Sequence, residues 1–384
     1  MKVNQTIQNI HAPAAIAIAD GIREMESQGK QIFKLQTGEP CFSTPEYIKK
    51  GMVKALESNQ TRYTYSQGIP ELRREICSSL NTKYGTEIAP SDIFITNGGV
   101  SAIHYAIQSV IEPGDEVIIF DPSWPQYANI TSLCGGKPVN VSTRANLCIP
   151  DTGLLETNAT PRTKMVVLNN PNNPTGTIIP GDTLNRMIKW AYERNIYLLF
   201  DEVYDHIVYS PGFVSALQLD NYPLYRDNII YINSFSKTFC MTGWRLGYAI
   251  VPEPMKGNYL KLVQNSITHV SAPTQWAGVS ALAEMEAHQD EYAAMLGVYN
   301  ARRVEIMKLL QEKSWEYIHP DGSFYYFIKV PQNVNDFVTD LLNTHRIAVV
   351  PGIAYGKDFA DYFRMSYAVD DVSYNGFVSW LKKY

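Results

Sequence analysis

The sequence contains few cysteines, and none of them is arranged as a CxxC pair. Five cysteines among 384 residues are an odd number. This pattern argues against a disulfide framework and against a zinc ligand set, so we expect no metal and a reducing, cytoplasmic compartment. Long apolar runs are also missing. The stretch HAPAAIAIAD (11–20) contains Pro13, is stopped by Asp20, and is too short for a membrane span or a signal sequence.

An excess of positive charge is missing as well. The 33 basic and 38 acidic residues are interspersed and give a formal net charge of -5. We therefore expect neither nucleic acid nor a membrane surface as a partner. The glycine signatures of dinucleotide and ATP sites are absent, because NGGVSAIH has only two adjacent glycines and no Gly-Lys pair precedes Ser or Thr. An HExxH zinc helix is absent too.

Short apolar runs alternate with helical periods through the middle of the chain. Runs such as EVIIFD, KMVVLNN, YLLFDE and NIIYINSFS are apolar throughout, which predicts a mainly parallel sheet covered by helices on both faces. Pro70 and Gly85 mark the start and end of one helix. We predict an α/β fold with a large domain at 46–285 and a smaller α+β domain formed by 1–45 and 286–384.

Polar groups follow the predicted strands at their carboxyl ends, where such sheets bind ligands. NGGVSAIH follows one strand and opens a helix, so the amides of Gly99, Val100 and Ser101 would face an anion. A plain strand-to-helix turn explains the two glycines equally well. NNPNNPTG (169–176) follows another strand and carries four asparagines, more than we expect a simple turn to need.

The next two strand ends carry a carboxylate and an amine. Asp201 follows YLLF with Tyr204 three positions later, and this carboxylate could cap a helix or hold the nitrogen of a heterocyclic ring. Lys237 lies in an aromatic-rich segment, where burial favours the neutral amine. The same segment carries three donors suited to one anion, Ser234, Ser236 and Arg245. Together these groups predict a ligand with a phosphate, a ring nitrogen and an aldehyde-like carbon.

In this order and spacing, the segments resemble the class I/II aminotransferases of fold type I, which use pyridoxal 5'-phosphate (PLP). The resemblance covers essentially the whole chain, and its most specific part is the frame SxSKxxxxxGWRxG. The matching segments are LQTGEP, RYTYSQGIPELR, TNGGVSAI, DPSWPQY, NNPNNPTG, DEVYD, SFSKTFCMTGWRLGY and FRMSYA. The resemblance implies the PLP-dependent transferase fold type I.

The resemblance also implies a role for each group around the cofactor. Lys237 would bind PLP covalently and shuttle the α-proton, and Asp201 would keep the ring nitrogen protonated. Tyr204 and Asn173 would bond the ring's phenolic oxygen. Trp124 would stack on the ring, although a tryptophan there is equally suited to the core. The phosphate would be held by Ser234, Ser236, Arg245 and the turn of Gly99, Val100 and Ser101, where Val100 and Ser101 depart from the family's usual residues.

The remaining implied roles concern the substrate and a second subunit. Gly38 would lie by the substrate through its backbone, and Arg364 would bind the α-carboxylate. Alternation alone would instead place Arg364 on the solvated face of a half-exposed strand, with Ser366. Tyr63 matches the tyrosine that reaches the partner subunit's phosphate, which implies a homodimer with shared active sites, but the neighbouring Tyr65 competes for this assignment.

The expected activity is transfer of an amino group from an L-amino acid to a 2-oxo acid. The N-terminal third most resembles bacterial aspartate aminotransferases, so aspartate with 2-oxoglutarate is the expected pair. Aromatic, alanine or kynurenine transamination is the alternative, as is a PLP-dependent C-S β-lyase, which shares the first half-reaction. A PLP-sensing domain of a transcription regulator is disfavoured, because no basic DNA-binding segment precedes the fold.

Overall fold

The computed structural model describes residues 3–8, 10, 14–330 and 333–384. Residues 1, 2, 9 and 11–13 of the predicted N-terminal arm lie outside the described residues, so the stretch 11–20 is described only in part. The strands are β1 (Phe33–Lys34), β2 (Ile93–Thr96), β3 (Glu116–Asp121), β4 (Lys137–Ser142), β5 (Thr163–Asn169), β6 (Tyr197–Asp201), β7 (Ile229–Ser234), β8 (Gly247–Ile250), β9 (Tyr317–Ile318), β10 (Tyr325–Lys329), β11 (Ile347–Ala348), β12 (Val350–Pro351) and β13 (Tyr362–Ser366).

The α-helices alternate with the strands through the central sheet, and α13, which follows β8, has 24 residues. In chain order they are α1 (Gln5–Gln8), α2 (Ala14–Ser27), α3 (Glu46–Glu57), α4 (Pro70–Tyr84), α5 (Gly98–Val110), α6 (Gln126–Leu133), α7 (Thr152–Asn158), α8 (Gly181–Tyr192), α9 (Tyr222–Tyr225), α10 (Phe235–Thr238), α11 (Lys256–Ser266), α12 (Ala272–Ala283), α13 (Gln289–Glu312), α14 (Val334–Asn343) and α15 (Asp371–Lys383). The helix predicted between Pro70 and Gly85 is confirmed: Pro70 is its first residue, and Gly85 ends it with φ of +68°.

Within the described residues, seven strands form the central sheet in the order β2-β8-β7-β6-β5-β3-β4. β8 runs antiparallel to both of its neighbours, and the other pairs are parallel. The prediction of a mainly parallel sheet is therefore confirmed. Parallel order places the carboxyl ends of β5, β6 and β7 side by side at one edge.

Both faces of this sheet are buried under helices, as the unbroken apolar runs predict. Along β5, Val166 and Leu168 pack into one hydrophobic cluster together with residues of α4, α8 and α12. The alternating residues Met165 and Val167 pack into a second cluster with residues of α5, α6 and α11. Successive side chains of a strand point to opposite faces, so one apolar strand serves two cores.

A smaller sheet belongs to the C-terminal part of the chain. Among the described strands it has the antiparallel order β12-β13-β10-β9, and the parallel pair β1-β11 joins the N-terminal segment to this region. The associated core combines Leu35 with buried residues between Met295 and Leu381, and Tyr204 and Ile207 of the predicted large domain also pack into it. The division at 45/46 and 285/286 stays a prediction, which is supported by the fact that most residues of this core come from the predicted smaller domain.

Two classes of feature are not found in the described part of the chain. No helix there has both the length and the apolar character needed to cross a membrane. The same residues contain no group of three or more His, Cys, Asp or Glu side chains able to hold a metal ion.

Candidate active site

A cavity of about 480 Å³ lies at the carboxyl edge of the central sheet, where the smaller sheet also contributes to the walls. Three neighbouring strands each end in a residue that lines it: Asn169 of β5, Asp201 of β6 and Ser234 of β7. Arg364 of β13 and Tyr325 of β10 line it from the smaller sheet. The two sheets thus bring their polar groups into one space.

Twelve of the residues predicted from the sequence line this cavity. They are Gly38, Gly99, Val100, Trp124, Asn173, Asp201, Tyr204, Ser234, Ser236, Lys237, Arg245 and Arg364. Two predicted residues do not. The Ser101 hydroxyl donates to the Asn97 carbonyl oxygen at 3.2 Å, one turn back along α5. Tyr63 is 88% exposed and packs edge-on against His269, with ring centroids 5.5 Å apart.

Lys237 reaches the cavity from α10, the single turn that follows β7. The Ser234 hydroxyl begins this turn by accepting from the Ser236 amide at 3.3 Å. The Lys237 side chain donates from Nζ to the Gly38 carbonyl oxygen. The Phe324 ring centroid lies 5.7 Å from Nζ, so the ammonium has aromatic carbon beside it in place of water.

Burial sets the charge state of this amine. It lowers the pKa of Lys237 to about 8, because the ammonium loses hydration inside the protein. The positive charges of Arg364 and Arg245 act in the same direction. Glu39 and Asp201 act in the opposite direction, and the balance leaves the pKa below the ordinary lysine value of 10.5. Near neutral pH, a larger fraction of this amine is therefore unprotonated and nucleophilic than for an ordinary lysine.

Asp201 is a buried carboxylate, only 4% exposed. The Tyr127 hydroxyl donates to its Oδ2 at 2.6 Å, and the Val203 amide donates to Oδ1 at 3.3 Å. Burial raises the pKa of Asp201 to about 6, and the bonds from Tyr127 and Val203 limit that rise because they favour the charged form. The carboxylate stays ionised at neutral pH and is held in one orientation.

Aromatic residues complete the wall around these two groups. Tyr204 and Tyr325 share a hydrogen bond between their hydroxyls at 3.0 Å, and burial raises the pKa of Tyr204 well above its usual value, so it remains a neutral phenol. Trp124 lines the cavity and meets Tyr127 edge-on, with ring centroids 5.3 Å apart. Trp124 is also partly buried against the hydrophobic cluster below it, so both sequence interpretations describe part of its surroundings.

The asparagine-rich turn uses most of its amides for itself, contrary to our expectation that a turn would not need so many. Asn169 accepts from the Asn173 amide at 2.7 Å and donates to the Asp201 carbonyl oxygen at 2.9 Å. Asn170 accepts from the Ile179 amide at 2.9 Å, and Asn172 accepts from the Thr175 hydroxyl at 2.9 Å. Buried backbone groups need partners, and these side chains supply them where no strand can.

Asn173 differs from the other three, because its side-chain oxygen accepts from Arg364 Nη1 at 3.1 Å. Arg364 Nη2 donates to the Gln36 carbonyl oxygen at 2.6 Å, and the guanidinium lies 4.3 Å from the centroid of the Tyr325 ring. The Nε atom is buried without a hydrogen-bond partner. Among the described residues, no acidic side chain forms a salt bridge with this guanidinium, whose charge is therefore available to an anion.

The expectation of a half-exposed strand around Arg364 is wrong. All five residues of β13 are buried, and Arg364 itself is 4% exposed. Alternation does hold, since Phe363 and Met365 pack into the smaller sheet's core while Arg364 turns toward the cavity. The second face of β13 is covered by protein in place of water, which the period-2 pattern of a short strand does not reveal.

A corner of the cavity collects groups that suit an anion. The first turn of α5 lies close to Arg245 and Ser234. If Gly98, where φ is +75°, carried a Cβ atom, that atom would lie 2.6 Å from Arg245 Nη2. A Cβ atom on Gly99 would lie 3.9 Å from the Cβ atom of Ser234. Arg245 now donates to carbonyl oxygens, to Thr242 at 2.8 Å and to Asn97 at 3.4 Å. Helix amides, hydroxyl groups and a guanidinium here converge on one region.

Several lining residues were missed by the sequence analysis. Tyr127 follows Trp124 by three positions within DPSWPQY, and this spacing on a helix start could have indicated a shared face. Gln36 and Glu39 flank the predicted Gly38, so the TGEP segment contributes more than one residue. Tyr325 carried no usable signal, because FYYFIKV contains four aromatic residues and nothing in the pattern distinguishes the one that faces a ligand.

Known proteins resemble the chain in both sequence and structure. Residues 30–379 match the family described as aminotransferase class I and II. The aspartate/prephenate aminotransferase of Thermus thermophilus is 32% identical over 379 residues, which cover 96% of this chain and 95% of that protein. The (5-formylfuran-3-yl)methyl phosphate transaminase of Methanocaldococcus jannaschii is 35% identical over 348 residues, covering 90% and 89% of the two chains.

A solved structure extends this similarity to the fold. The aspartate aminotransferase of Thermus thermophilus with maleate superposes with a TM-score of 0.93 at 30% identity, over 100% of this chain and 99% of that one. The expected fold type I is thereby confirmed. The chain therefore belongs to the aminotransferase class I and II family, as its motifs led us to expect.

Proposed function

We propose that this aminotransferase uses PLP and moves an amino group from aspartate to 2-oxoglutarate. The observation that carries the proposal is one cavity that contains an amine of lowered pKa, a buried carboxylate and a buried guanidinium that pairs with no acidic side chain among the described residues: Lys237, Asp201 and Arg364. The choice of aspartate is supported by the names of relatives and by the maleate, a dicarboxylate, in the Thermus thermophilus structure.

The chemistry of the donor set fits PLP. The anion corner offers Ser234, Ser236, Arg245 and the α5 amides to a phosphate. Asp201 offers a carboxylate to a ring nitrogen, and Lys237 offers a neutral amine to an aldehyde. When bound, PLP supplies an aldehyde and an electron-withdrawing ring that stabilises negative charge at the substrate α-carbon.

The protein's own groups would then bind, orient and move protons. Lys237 would hold the cofactor through its amine and would carry the α-proton on Nζ. Asp201 would keep the ring nitrogen protonated, because a negative charge fixed by Tyr127 favours the cation next to it. Tyr204 and Asn173 would bond the ring's phenolic oxygen, and Trp124 would cover the ring.

Arg364 would hold the substrate α-carboxylate. Its planar fork matches the two oxygens of a carboxylate, and its buried charge would gain an anionic partner that the described residues do not provide. Gly38, whose carbonyl oxygen accepts from Lys237, would lie beside the substrate. Gln36 would help to orient Arg364 through its backbone oxygen.

We also propose a homodimer in which Tyr63 reaches the partner's phosphate. The 88% exposure of Tyr63 in the single chain supports this, since an aromatic ring of that size is available to a second subunit. Tyr65, at 67% exposure, is available too. The five cysteines are free thiols, which supports the proposal of a reducing, cytoplasmic compartment.

A panel of amino donors tests the substrate assignment. With 2-oxoglutarate as acceptor, we expect the largest kcat/KM for aspartate among aspartate, alanine, phenylalanine and kynurenine, with one oxaloacetate formed per glutamate. Release of pyruvate and a thiol from a sulfur amino acid at a higher kcat/KM would instead identify a C-S β-lyase. A preference for phenylalanine or kynurenine would contradict the aspartate assignment while leaving transamination intact.

The Lys237→Ala variant is expected to lose turnover by about a hundred- to ten-thousandfold, because the amine carries both the covalent link and the proton. In the wild type, capture of PLP by the apoenzyme should accelerate with pH, reach half of its maximal rate near pH 8, where half of the amine is neutral, and then level off. The measurement is the absorbance of the lysine-bound cofactor after mixing. Lys308→Ala, on the exposed face of α13, is the matched control. A capture rate still rising steeply at pH 10 would contradict the lowered pKa.

Arg364→Lys should keep the charge but lose the two-donor fork. A hydrogen bond to a charged group contributes about 1.5–3 kcal/mol, so we expect kcat/KM to fall about ten- to a hundredfold for every amino donor. PLP affinity should be unchanged, because this residue is assigned to the substrate. Arg303→Lys, which lies outside the cavity and bonds the Pro320 carbonyl oxygen, is the control. A loss confined to dicarboxylic donors would mean that Arg364 binds the distal group.

Complementation tests the shared site. A Lys237→Ala chain and a Tyr63→Phe chain should each form impaired homodimers, and mixing them should restore activity in heterodimers that contain one intact lysine and one intact tyrosine at the same site. Subunit exchange is verified by separating differently tagged chains. If exchange is complete and activity stays at the level of the two parents, Tyr63 does not act across the interface.

A further inference from the structure

One cation that lines the cavity has no role in the scheme above. Among the residues that the structure describes, four basic side chains line this space: Arg23, Lys237, Arg245 and Arg364. Lys237 is assigned to the cofactor link, Arg245 to the phosphate and Arg364 to the α-carboxylate. We propose that Arg23 binds the distal carboxylate of a dicarboxylic substrate and so determines the substrate class. This inference rests on the proposed aminotransferase chemistry of the cavity.

The position of Arg23 is set by the packing of α2. Residues four apart share a helix face, and Ala19 and Arg23 are the pair from α2 that lines the cavity. The next residue to Arg23, Ile22, is 2% exposed and packs with Ile32 and Ala348. The apolar face of α2 is thus anchored on the N-terminal segment and on β11, and this anchoring holds the Arg23 backbone at the cavity wall.

The Arg23 side chain is free to change partners. Its Nη1 lies 2.6 Å from Asp20 Oδ1, three residues earlier on the same helix. The two side chains are 75% and 64% exposed, and an ion pair so open to water contributes little to stability. A substrate carboxylate can therefore replace Asp20 or share the guanidinium, which has further donors on Nη2 and Nε.

Outside these four side chains, the lining groups in the described part of the chain offer no cation. Val100 and Ile103 of α5 are apolar, so that wall provides no charge. Glu39 lines the cavity as an anion, accepts from the Thr242 hydroxyl at 2.9 Å and acts electrostatically on Lys237. A second carboxylate on the substrate would be repelled by Glu39, and a guanidinium at the wall is what can offset that repulsion.

The test compares dicarboxylic and monocarboxylic substrates in Arg23→Ala, with PLP bound. We expect kcat/KM for aspartate to fall about tenfold, as for loss of one charged hydrogen bond that is partly exposed, while kcat/KM for alanine stays within about twofold. Maleate should inhibit the variant about tenfold more weakly, with the cofactor absorbance unchanged. Asp20→Asn removes the carboxylate that competes for Arg23 and should therefore raise kcat/KM for aspartate.

Arg74→Ala is the matched control, because Arg74 forms an exposed i,i+3 pair with Glu71 on α4, away from the cavity. Suppose that the wild-type enzyme uses aspartate. If Arg23→Ala then lowers turnover equally for aspartate and alanine, or leaves both unchanged, the role of Arg23 is overturned while the proposed function stands. If glutamate is used in place of aspartate and Arg23→Ala discriminates in the same way, only the choice of aspartate fails. If no dicarboxylic donor reacts, both are overturned.

Discussion

Desolvation of charge at one edge of the central sheet is the constraint on which the cavity depends. Asp201 and Arg364 are buried, Lys237 is partly buried at the cavity wall, and an isolated charge is costly to remove from water at any of these positions. The protein limits the cost differently for each group. The amine shifts toward its neutral form, the carboxylate accepts two hydrogen bonds, and the guanidinium lies over an aromatic ring and donates to two oxygens. A charged ligand would neutralise the part of the charge that these contacts leave uncompensated.

Parallel strand order makes this concentration of charge possible. Because β5, β6 and β7 are neighbours and run in the same direction, their last residues meet at one edge. The turn after β5 is fastened to the end of β6 through Asn169, which donates to the Asp201 carbonyl oxygen. This bond holds the backbone at the end of β6 and so keeps the Asp201 carboxylate in one place. A charge that stabilises a ligand is most effective when the protein fixes its position.

The smaller sheet contributes Tyr325 and Arg364 to the wall of the cavity. Arg364 on β13 contacts Asn173 from the large sheet's edge and the Gln36 carbonyl oxygen from the N-terminal segment, so three distant parts of the chain meet at one guanidinium. Lys237 adds a second link to that segment through Gly38. The N-terminal segment thus contacts both the guanidinium, through Gln36, and the amine, through Gly38.

The fold class, the sheet edge beside the cavity and most of the residues that line it were predictable from the sequence. Apolar runs separated by helical segments favour a parallel sheet covered on both faces, and the motif SFSKTFCMTGWRLGY keeps the amine and the anion donors together by short-range spacing. Four findings required the folded structure: which asparagines serve the turn, the burial of β13 on both faces, the bond from Tyr127 to Asp201, and the position of Arg23 at the cavity. These features depend on contacts between residues far apart in the chain. The hydrophobic pattern of a segment predicts only which of its residues share a face of the same helix or strand.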